Sequence, residues 1–324
     1  MANIPKNDIF DDMPTSPEEE QLFTSLRVEA WDEFHGQSQV KQSLQVAIEA
    51  ARQREEALEH TLLYGPPGLG KTTLSNLISK SMGSQIHIAS ATTLTKVGDV
   101  AAILTSLQPN DIFFIDEIHR LPRQIEETLY PVMEDFALDV VLGKGPSARV
   151  MRLDLPPFTL VGATTKYGSL AAPFRDRFGL VHRVKYYEPE ELIVILQGAG
   201  EKLGVKMRED VALALARRSR GTPRIALKLL KRVRDIAQLD NSAAVENRHL
   251  KDALALQQID EDGLDEHDRR YIEVLKHQFH GGPVGLQTLA AALSEDALTL
   301  EEVVEPYLMQ IGKIKRTARG RMIV

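Results

Sequence analysis

The stretch Gly65-Pro66-Pro67-Gly68-Leu69-Gly70-Lys71-Thr72 constrains this chain more than any other, because it satisfies G-x-x-x-x-G-K-[ST] at every fixed position. Such a loop needs a strand running into a helix. Thr61-Leu62-Leu63-Tyr64 reads as the strand, and Thr72 to about Met82 as the helix. The glycines let backbone N–H groups turn inward around a β-phosphate, and the helix N-terminus adds partial positive charge. Lys71 is placed to reach the β/γ oxygens, and the Thr72 hydroxyl to ligate Mg²⁺. The alternative is a glycine-rich turn that merely opens a helix. The strand–loop–helix setting favours the phosphate loop, so the sequence predicts a protein that binds a nucleoside triphosphate.

Residues 37–184 alternate strand-like apolar runs with helical periodicity. The predicted strands are Thr61–Tyr64, Gln85–Ala89, Asp111–Ile115, Thr159–Gly162 and Leu180–Val184. Between them Gln37–Arg54, Thr72–Met82, Val97–Leu107 and Pro122–Asp135 read as helices. This rhythm predicts a parallel sheet covered on both faces, with ligands at the carboxyl ends of its strands. Phe136–Leu155 breaks the rhythm: two β-prone arms flank Gly143-Lys144-Gly145-Pro146-Ser147, which predicts an inserted hairpin. From Glu188 to about Gln257 the pattern is helical, and Gln258–Gly263 reads as an acidic linker. Beyond it, helices over Leu286–Leu293 and Thr299–Met309 precede Ile311–Val324 with a turn at Gly320, which describes a winged helix.

Composition narrows the partners. The 324 residues carry a formal net charge of −7, which argues against indiscriminate coating of nucleic acid. Basic residues nevertheless cluster at Lys313, Lys315, Arg316, Arg319 and Arg321, with no acid among them. Arg217–Arg234 is a second basic run, read here as a solvated helix face apart from Arg224. No run of about 18 uncharged apolar residues exists, so no membrane span is expected. With zero cysteines and a polar N-terminus, thiol chemistry is excluded and a cytoplasmic location is expected.

The chemistry concentrates at strand ends. Ile112-Phe113-Phe114-Ile115-Asp116-Glu117 is an apolar strand closing on two acids. Asp116 is suited to hold Mg²⁺ mainly through its water shell, and Glu117 to polarise the attacking water as general base. Thr164, at the tip of a third strand, can bond that water or the γ-phosphate, or simply cap the next turn. Pro173-Phe174-Arg175-Asp176-Arg177-Phe178 carries two arginines, either of which could neutralise the γ-oxygens of a neighbouring subunit or pair with Asp176. Arg224, following Gly221-Thr222-Pro223 at a predicted helix N-terminus, could reach the same phosphate.

Several longer stretches resemble one family: Phe114–Leu121 (FIDEIHRL), Tyr130–Asp135 (YPVMED), Asp154–Thr165 (DLPPFTLVGATT), Arg175–Gly179 (RDRFG), Gly221–Ala226 (GTPRIA), Gly281–Leu286 (GGPVGL) and Arg316–Met322 (RTARGRM). With the phosphate loop they resemble the AAA+ ATPases, and among these the RuvB family of Holliday-junction branch-migration motors, from about Leu26 to the C-terminus. The resemblance implies an α/β P-loop ATPase domain over 26–187, with its parallel sheet between helices and the hairpin 136–155. It also implies an all-helical lid over 188–257 and a winged-helix DNA-binding head over 258–324, preceded by a flexible segment 1–25.

By position, Arg177 resembles the trans-acting arginine finger with Arg175 beside it, Arg224 the sensor-2 arginine and Thr164 sensor 1. Leu26, Arg27, Gly65, Gly68, Gly70, Lys71, Thr72, Thr73 and Tyr187 fall where the family frames ATP. Glu134, Asp135 and Phe136 fall at positions of nucleotide contact. Thr72 and Asp116 match the Mg²⁺ site, the hairpin matches the segment that docks a RuvA-type partner, and Arg316 and Arg321 match DNA-contacting arginines. Arg27-Val28 in place of Arg-Pro, with Trp31 and His35, departs from the family and implies an adenine pocket different in detail. Ala318 stands where the wing usually has proline, and the chain stops at Val324, short of its relatives.

The resemblance thus implies an ATP-hydrolysing motor in DNA recombination and repair, with ATP and Mg²⁺ as cofactors, working as a homohexameric ring on four-way junctions. Two rivals remain at this stage. A clamp loader would end in a helical collar rather than a basic wing. A nucleotide-switched initiator would need a base-reading helix, for which Thr299–Met309 is too acidic.

Overall fold

The computed structural model describes residues 26, 28–142, 149–242 and 244–324. The segment 1–25, Arg27 and the hairpin turn 143–148 therefore lie outside the described residues. The chain divides into two units, one spanning 27–186 and the other 187–324 together with Leu26.

In the first unit all five expected strands form: β1 (Thr61–Tyr64), β2 (Ile86–Ser90), β3 (Ile112–Asp116), β6 (Thr159–Thr164) and β7 (Leu180–Arg183), with β4 (Ala137–Leu142) and β5 (Arg149–Asp154) set apart as a hairpin. The five pair parallel in the order β2-β3-β6-β1-β7. Phe113, Phe114, Leu62, Leu63, Leu160 and Val161 are fully buried, the continuous apolar run that a sheet covered on both faces requires. Helices α1 (Ser38–Gln53), α2 (Lys71–Met82), α3 (Val97–Leu104) and α4 (Arg123–Asp135) supply apolar stripes such as Ile125, Leu129, Val132 and Met133. Buried His60 ties α4 to the sheet. Its Nδ1 accepts from the Leu160 amide at 2.9 Å, so Nε2 carries the proton toward the Met133 carbonyl at 3.0 Å. Burial lowers its pKa to about 4 and keeps the ring neutral.

The β4–β5 pair is antiparallel, with Asp139 opposite Arg152 and Val140 opposite Met151. Leu138 is buried against the core, whereas Met151 is 41% exposed.

The second unit holds helices α5 (Pro189–Lys202), α6 (Glu209–Arg218), α7 (Pro223–Leu239) and α8 (Asn247–Leu256). A two-residue parallel pair, Lys206–Met207 with Ala244–Val245, interrupts the all-helical pattern. The winged part contains α9 (Glu266–His277), α10 (Leu286–Leu293) and a helix over 297–310 whose middle, Leu300–Val304, is π-helical. Strands Ile314–Thr317 and Gly320–Ile323 then pair antiparallel as the wing. Helix α9 is an addition to the two helices expected there.

Gln258–Gly263 joins α8 to α9 without regular structure, as a linker should, but it is tied down: Asp260 Oδ1 accepts from the amides of Asp262 and Leu264, and Ile259 is buried. One expectation is corrected. The basic run 217–234 is not simply a solvated face, because Arg220 and Lys228 are buried. Arg220 donates from Nε to the Gly263 carbonyl at 3.0 Å, pairs with Asp265 at 3.3 Å and with Asp268, and lies over the Tyr307 ring at 4.6 Å. It pins α9 and the helix 297–310 to the end of α6. Burial pushes the Asp268 carboxyl up to about 7, against the pull of the Arg220 guanidinium. Arg220→Ala would leave Asp268 buried with its cation removed, so a loss of about 3–5 kcal/mol is expected in denaturant unfolding of the second unit. A loss under about 1 kcal/mol, the range of an exposed pair, would show the joint to be incidental.

Candidate ATP and DNA sites

The phosphate loop is built as its residues require. Gly65 has φ +145°, and a Cβ there would fall 2.2 Å from the Val184 carbonyl oxygen, so no side chain fits. Gly70 caps α2 at φ +95°. Lys71 opens the helix and is buried, its Nζ donating to the carbonyls of Gly65 at 2.9 Å and Pro66 at 2.8 Å. Thr72 and Thr73 follow on the first turn, half-buried. Gly68 sits between, also at positive φ (+70°). The Gly65 amide donates to the Thr164 carbonyl, which ties the loop to the tip of β6.

Strand register sets the other groups level with that tip. Tyr64 is opposite Thr164, and Ile115 opposite Gly162. Asp116 therefore ends β3 and Glu117 follows it at the same edge. Asp116 Oδ1 accepts from the Glu117 amide at 2.9 Å. Glu117 has φ +49°, a left-handed conformation costly for a residue with Cβ and typical of functional sites. Its Oε2 accepts from Thr165 Oγ1 at 3.2 Å and lies 3.2 Å from His119 Nδ1. His119 Nδ1 is in turn 3.0 Å from Thr164 Oγ1, which accepts from the Lys166 amide. Thr164 is fully buried. The neighbouring Thr165, which sequence reasoning passed over, is the threonine in direct contact with the carboxylate. His119, inside the quoted FIDEIHRL, was also missed; only its position two residues after Glu117 hinted at it.

Among the described residues there is no group of three or more His, Asp or Glu side chains able to cage a metal. Mg²⁺ takes one or two protein oxygens and completes its shell with water and substrate phosphates, and Thr72 on the first turn of α2 and Asp116 at the end of β3 carry oxygens of that kind. Thr72 and Asp116 fit such a role.

Arg175 ends one short helical turn, Ala172–Arg175, and Arg177 follows it, the segment being seated by buried Phe174 and Phe178. The adjacent Asp176 is not the partner of Arg177. Arg177 Nη2 pairs with Glu134 at 2.9 Å, and its guanidinium lies 4.3 Å from the Tyr130 ring centroid. Arg175 lies over Tyr167 at 4.9 Å. The 134–136 stretch divides its side chains: Glu134 to Arg177, Asp135 to Arg152 on the hairpin at 2.8 Å, and half-buried Phe136 edge-on to Phe158. A cavity of about 310 Å³ opens beside Arg177, lined by Leu58, His60, Met133, Phe136 and Gly179.

In the second unit Arg224 is the second residue of α7, after Pro223. Tyr187 is buried, and its amide donates to the Gly221 carbonyl at 2.9 Å. Leu26 is buried as well. On the wing, Arg316 and Arg321 face one another across the two strands and both pair with Glu301 and Glu305.

Three family models match the chain. Residues 26–184 match the family model of the Holliday junction DNA helicase RuvB P-loop domain, 187–260 the RuvB AAA lid domain, and 261–324 the RuvB C-terminal winged helix domain. Among solved structures, the chain is similar to the RuvB Holliday junction branch migration motor of Thermotoga maritima. The two are 45% identical over 93% of this chain and 96% of that one, with a TM-score of 0.83. A point variant of the same Thermotoga protein superposes with a TM-score of 0.84 at 45% identity, over 92% of this chain and 95% of that one.

Proposed function

The chain belongs to the RuvB family of AAA+ ATPases, ATP-driven motors of Holliday junction branch migration, and we propose the following division of labour among its residues. The backbone of Gly65–Gly70 cradles the phosphates, framed by Leu26, Arg27, Thr73 and Tyr187. Lys71 neutralises the β/γ oxygens, and Thr72 with Asp116 holds Mg²⁺. Bound there, the ion supplies charge neutralisation at the transferring phosphoryl group. Glu117 takes the proton of the attacking water. Thr165 and His119 hold that carboxylate in place, with Thr164 behind His119. Arg224 senses the γ-phosphate. Arg177, with Arg175 beside it and Glu134, Asp135 and Phe136 on the same face, serves the nucleotide of the next subunit.

The observation that carries this reading is Glu117 itself. It is held at positive φ beside the metal-binding candidate Asp116, with two polar neighbours on one oxygen, at the sheet edge that also carries the phosphate loop.

A finger acting in trans requires a ring, and we take it to be a homohexamer. The hairpin 136–155, whose β5 exposes Met151, is assigned to docking a RuvA-type junction-binding partner. The wing tracks phosphates through Arg316 and Arg321 rather than reading bases, which suits a motor indifferent to sequence. No helix among the described residues is long and apolar enough to cross a membrane, and we place the activity with DNA in the cytoplasm.

The test is ATP turnover and strand separation on a synthetic four-way junction, with and without the partner. Junction processing that needs both ATP and partner is expected. Tight ATP binding with negligible turnover, and a preference for one duplex sequence, would replace the motor with a nucleotide-switched DNA binder.

A further inference from the structure

The wing carries a like-charge pair at one register position: Arg316 on its first strand stands directly opposite Arg321 on its second. Opposed guanidinium groups repel unless something lies between them. The helix 297–310 supplies it. Glu305 is fully buried; its Oε2 accepts from Arg316 Nε at 2.6 Å, and its Oε1 from Arg321 Nε and the Tyr271 hydroxyl, both at 2.9 Å. Glu301, four residues earlier and 41% exposed, takes the outer edges. Its Oε1 lies 3.1 Å from Arg316 Nη1 and 3.4 Å from Arg321 Nη2, and its carbonyl accepts from Arg316 Nη2 at 3.1 Å. Two carboxylates thus cancel two guanidinium groups. In this arrangement the arginine pair presents no net charge to DNA.

The two acids are not equivalent. Glu305 is inside the fold and satisfied on both oxygens, so it sets where the arginines stand. Glu301 is on the rim, with one carboxylate oxygen bridging the Nη edges of both arginines. A phosphate diester oxygen makes the same charge-assisted contact with a guanidinium edge. We propose that Glu301 is a built-in phosphate surrogate, which holds Arg316 and Arg321 in the free head and must be displaced by a DNA phosphate. Lys315 and Arg319, exposed and with no carboxylate partner among the described residues, make the first contact. The benefit lies in release. A motor gives up each phosphate it grips, and a carboxylate poised to recapture the arginines makes that exchange cheap without moving the wing. This inference rests on the reading that the wing arginines meet DNA.

The experiment measures binding of the full chain to a short duplex of mixed sequence by fluorescence anisotropy over a range of salt. Four proteins are compared: wild type, Glu301→Gln, Arg316→Ala and the double variant. Glu301→Gln is expected to bind severalfold tighter, with the slope of log K against log salt steeper by about 0.9, for one more net positive charge at the phosphate contact. A generic charge effect would persist without Arg316. Because Glu301 also holds Arg321, the proposal requires that the gain shrink in the Arg316→Ala background rather than persist in full. No gain, a loss, or a gain undiminished in the double variant would overturn it. Arg316→Ala alone separates the two readings: unchanged binding would overturn the arginine–DNA contact, whereas weakened binding with no effect of Glu301→Gln would overturn only the surrogate. Thermal unfolding of each variant confirms that the head is intact.

Discussion

Glu117→Gln is expected to lower steady-state ATP turnover by about 10²–10⁴-fold while leaving nucleotide affinity nearly unchanged. The amide has the size of the carboxylate and tolerates the same left-handed backbone as poorly or as well, so the loop geometry is preserved. It can still accept from Thr165 Oγ1, now 3.2 Å from Oε2. What it cannot do is take a proton from water. Lys71 and the loop amides, assigned above to the phosphates, are untouched, so binding of a fluorescent ATP analogue should persist and only phosphate release should fail. Turnover within about tenfold of wild type, below the range of a positioned general base, would remove that role from Glu117. With Thr165 and His119 Nδ1 both within 3.2 Å of Oε2, that oxygen is committed to the protein and Oε1 is the atom left for water.

The centre of the sheet was legible because β1, β3 and β6 are largely apolar runs ending in a polar residue, as strands buried on both faces must be; the edge strands β2 and β7 carry His87 and His182 and expose Ile88 and Val181. The phosphate loop and the hairpin were legible through their glycines and prolines. What escaped has a common cause in distance along the chain. Arg220 looks like one of eight basic residues on a helical stretch, because its acidic partners Asp265 and Asp268 lie 45 and 48 positions away. Without them a buried guanidinium cannot be foreseen. Helix α9 escaped for a related reason: in Glu-His-Asp-Arg-Arg-Tyr-Ile-Glu-Val-Leu-Lys-His the buried apolar groups are just Tyr271, Val274 and Leu275, with Ile272 half-buried beside them, while Asp268 is buried by pairing with Arg220. The acidity of 299–309 was legible as a poor match to a DNA groove. That its acids Glu301 and Glu305 instead grip the arginines of the wing was not.

The same blindness affected Arg177, and correcting it sharpens the largest remaining prediction. Sequence spacing offered Asp176 as the competing ion partner, but the guanidinium reaches Glu134 at 2.9 Å and stacks over Tyr130, with its side chain 21% exposed. Glu134 is itself 56% exposed, so the pair contributes little to stability and breaking it costs under about 1 kcal/mol. Arg177 Nη1 also donates to the Pro173 carbonyl, so the guanidinium is seated on its own subunit, and Glu134 is the exposed partner that a neighbour's phosphate would displace. Arg177→Ala is therefore expected to fold normally, bind ATP, and lose about 10³–10⁵ in turnover, the range of an arginine finger. Lysine should not restore it, because a point charge lacks the planar fork that spans two γ-oxygens. The decisive measurement mixes Arg177→Ala with Glu117→Gln subunits, each inactive alone. In a mixed ring the Glu117→Gln subunit lends its intact Arg177 to a neighbour whose Glu117 is intact, and turnover returns. If Arg177 served only its own nucleotide, no mixture could contain a complete site, and activity that stays absent at every ratio would refute the finger in trans.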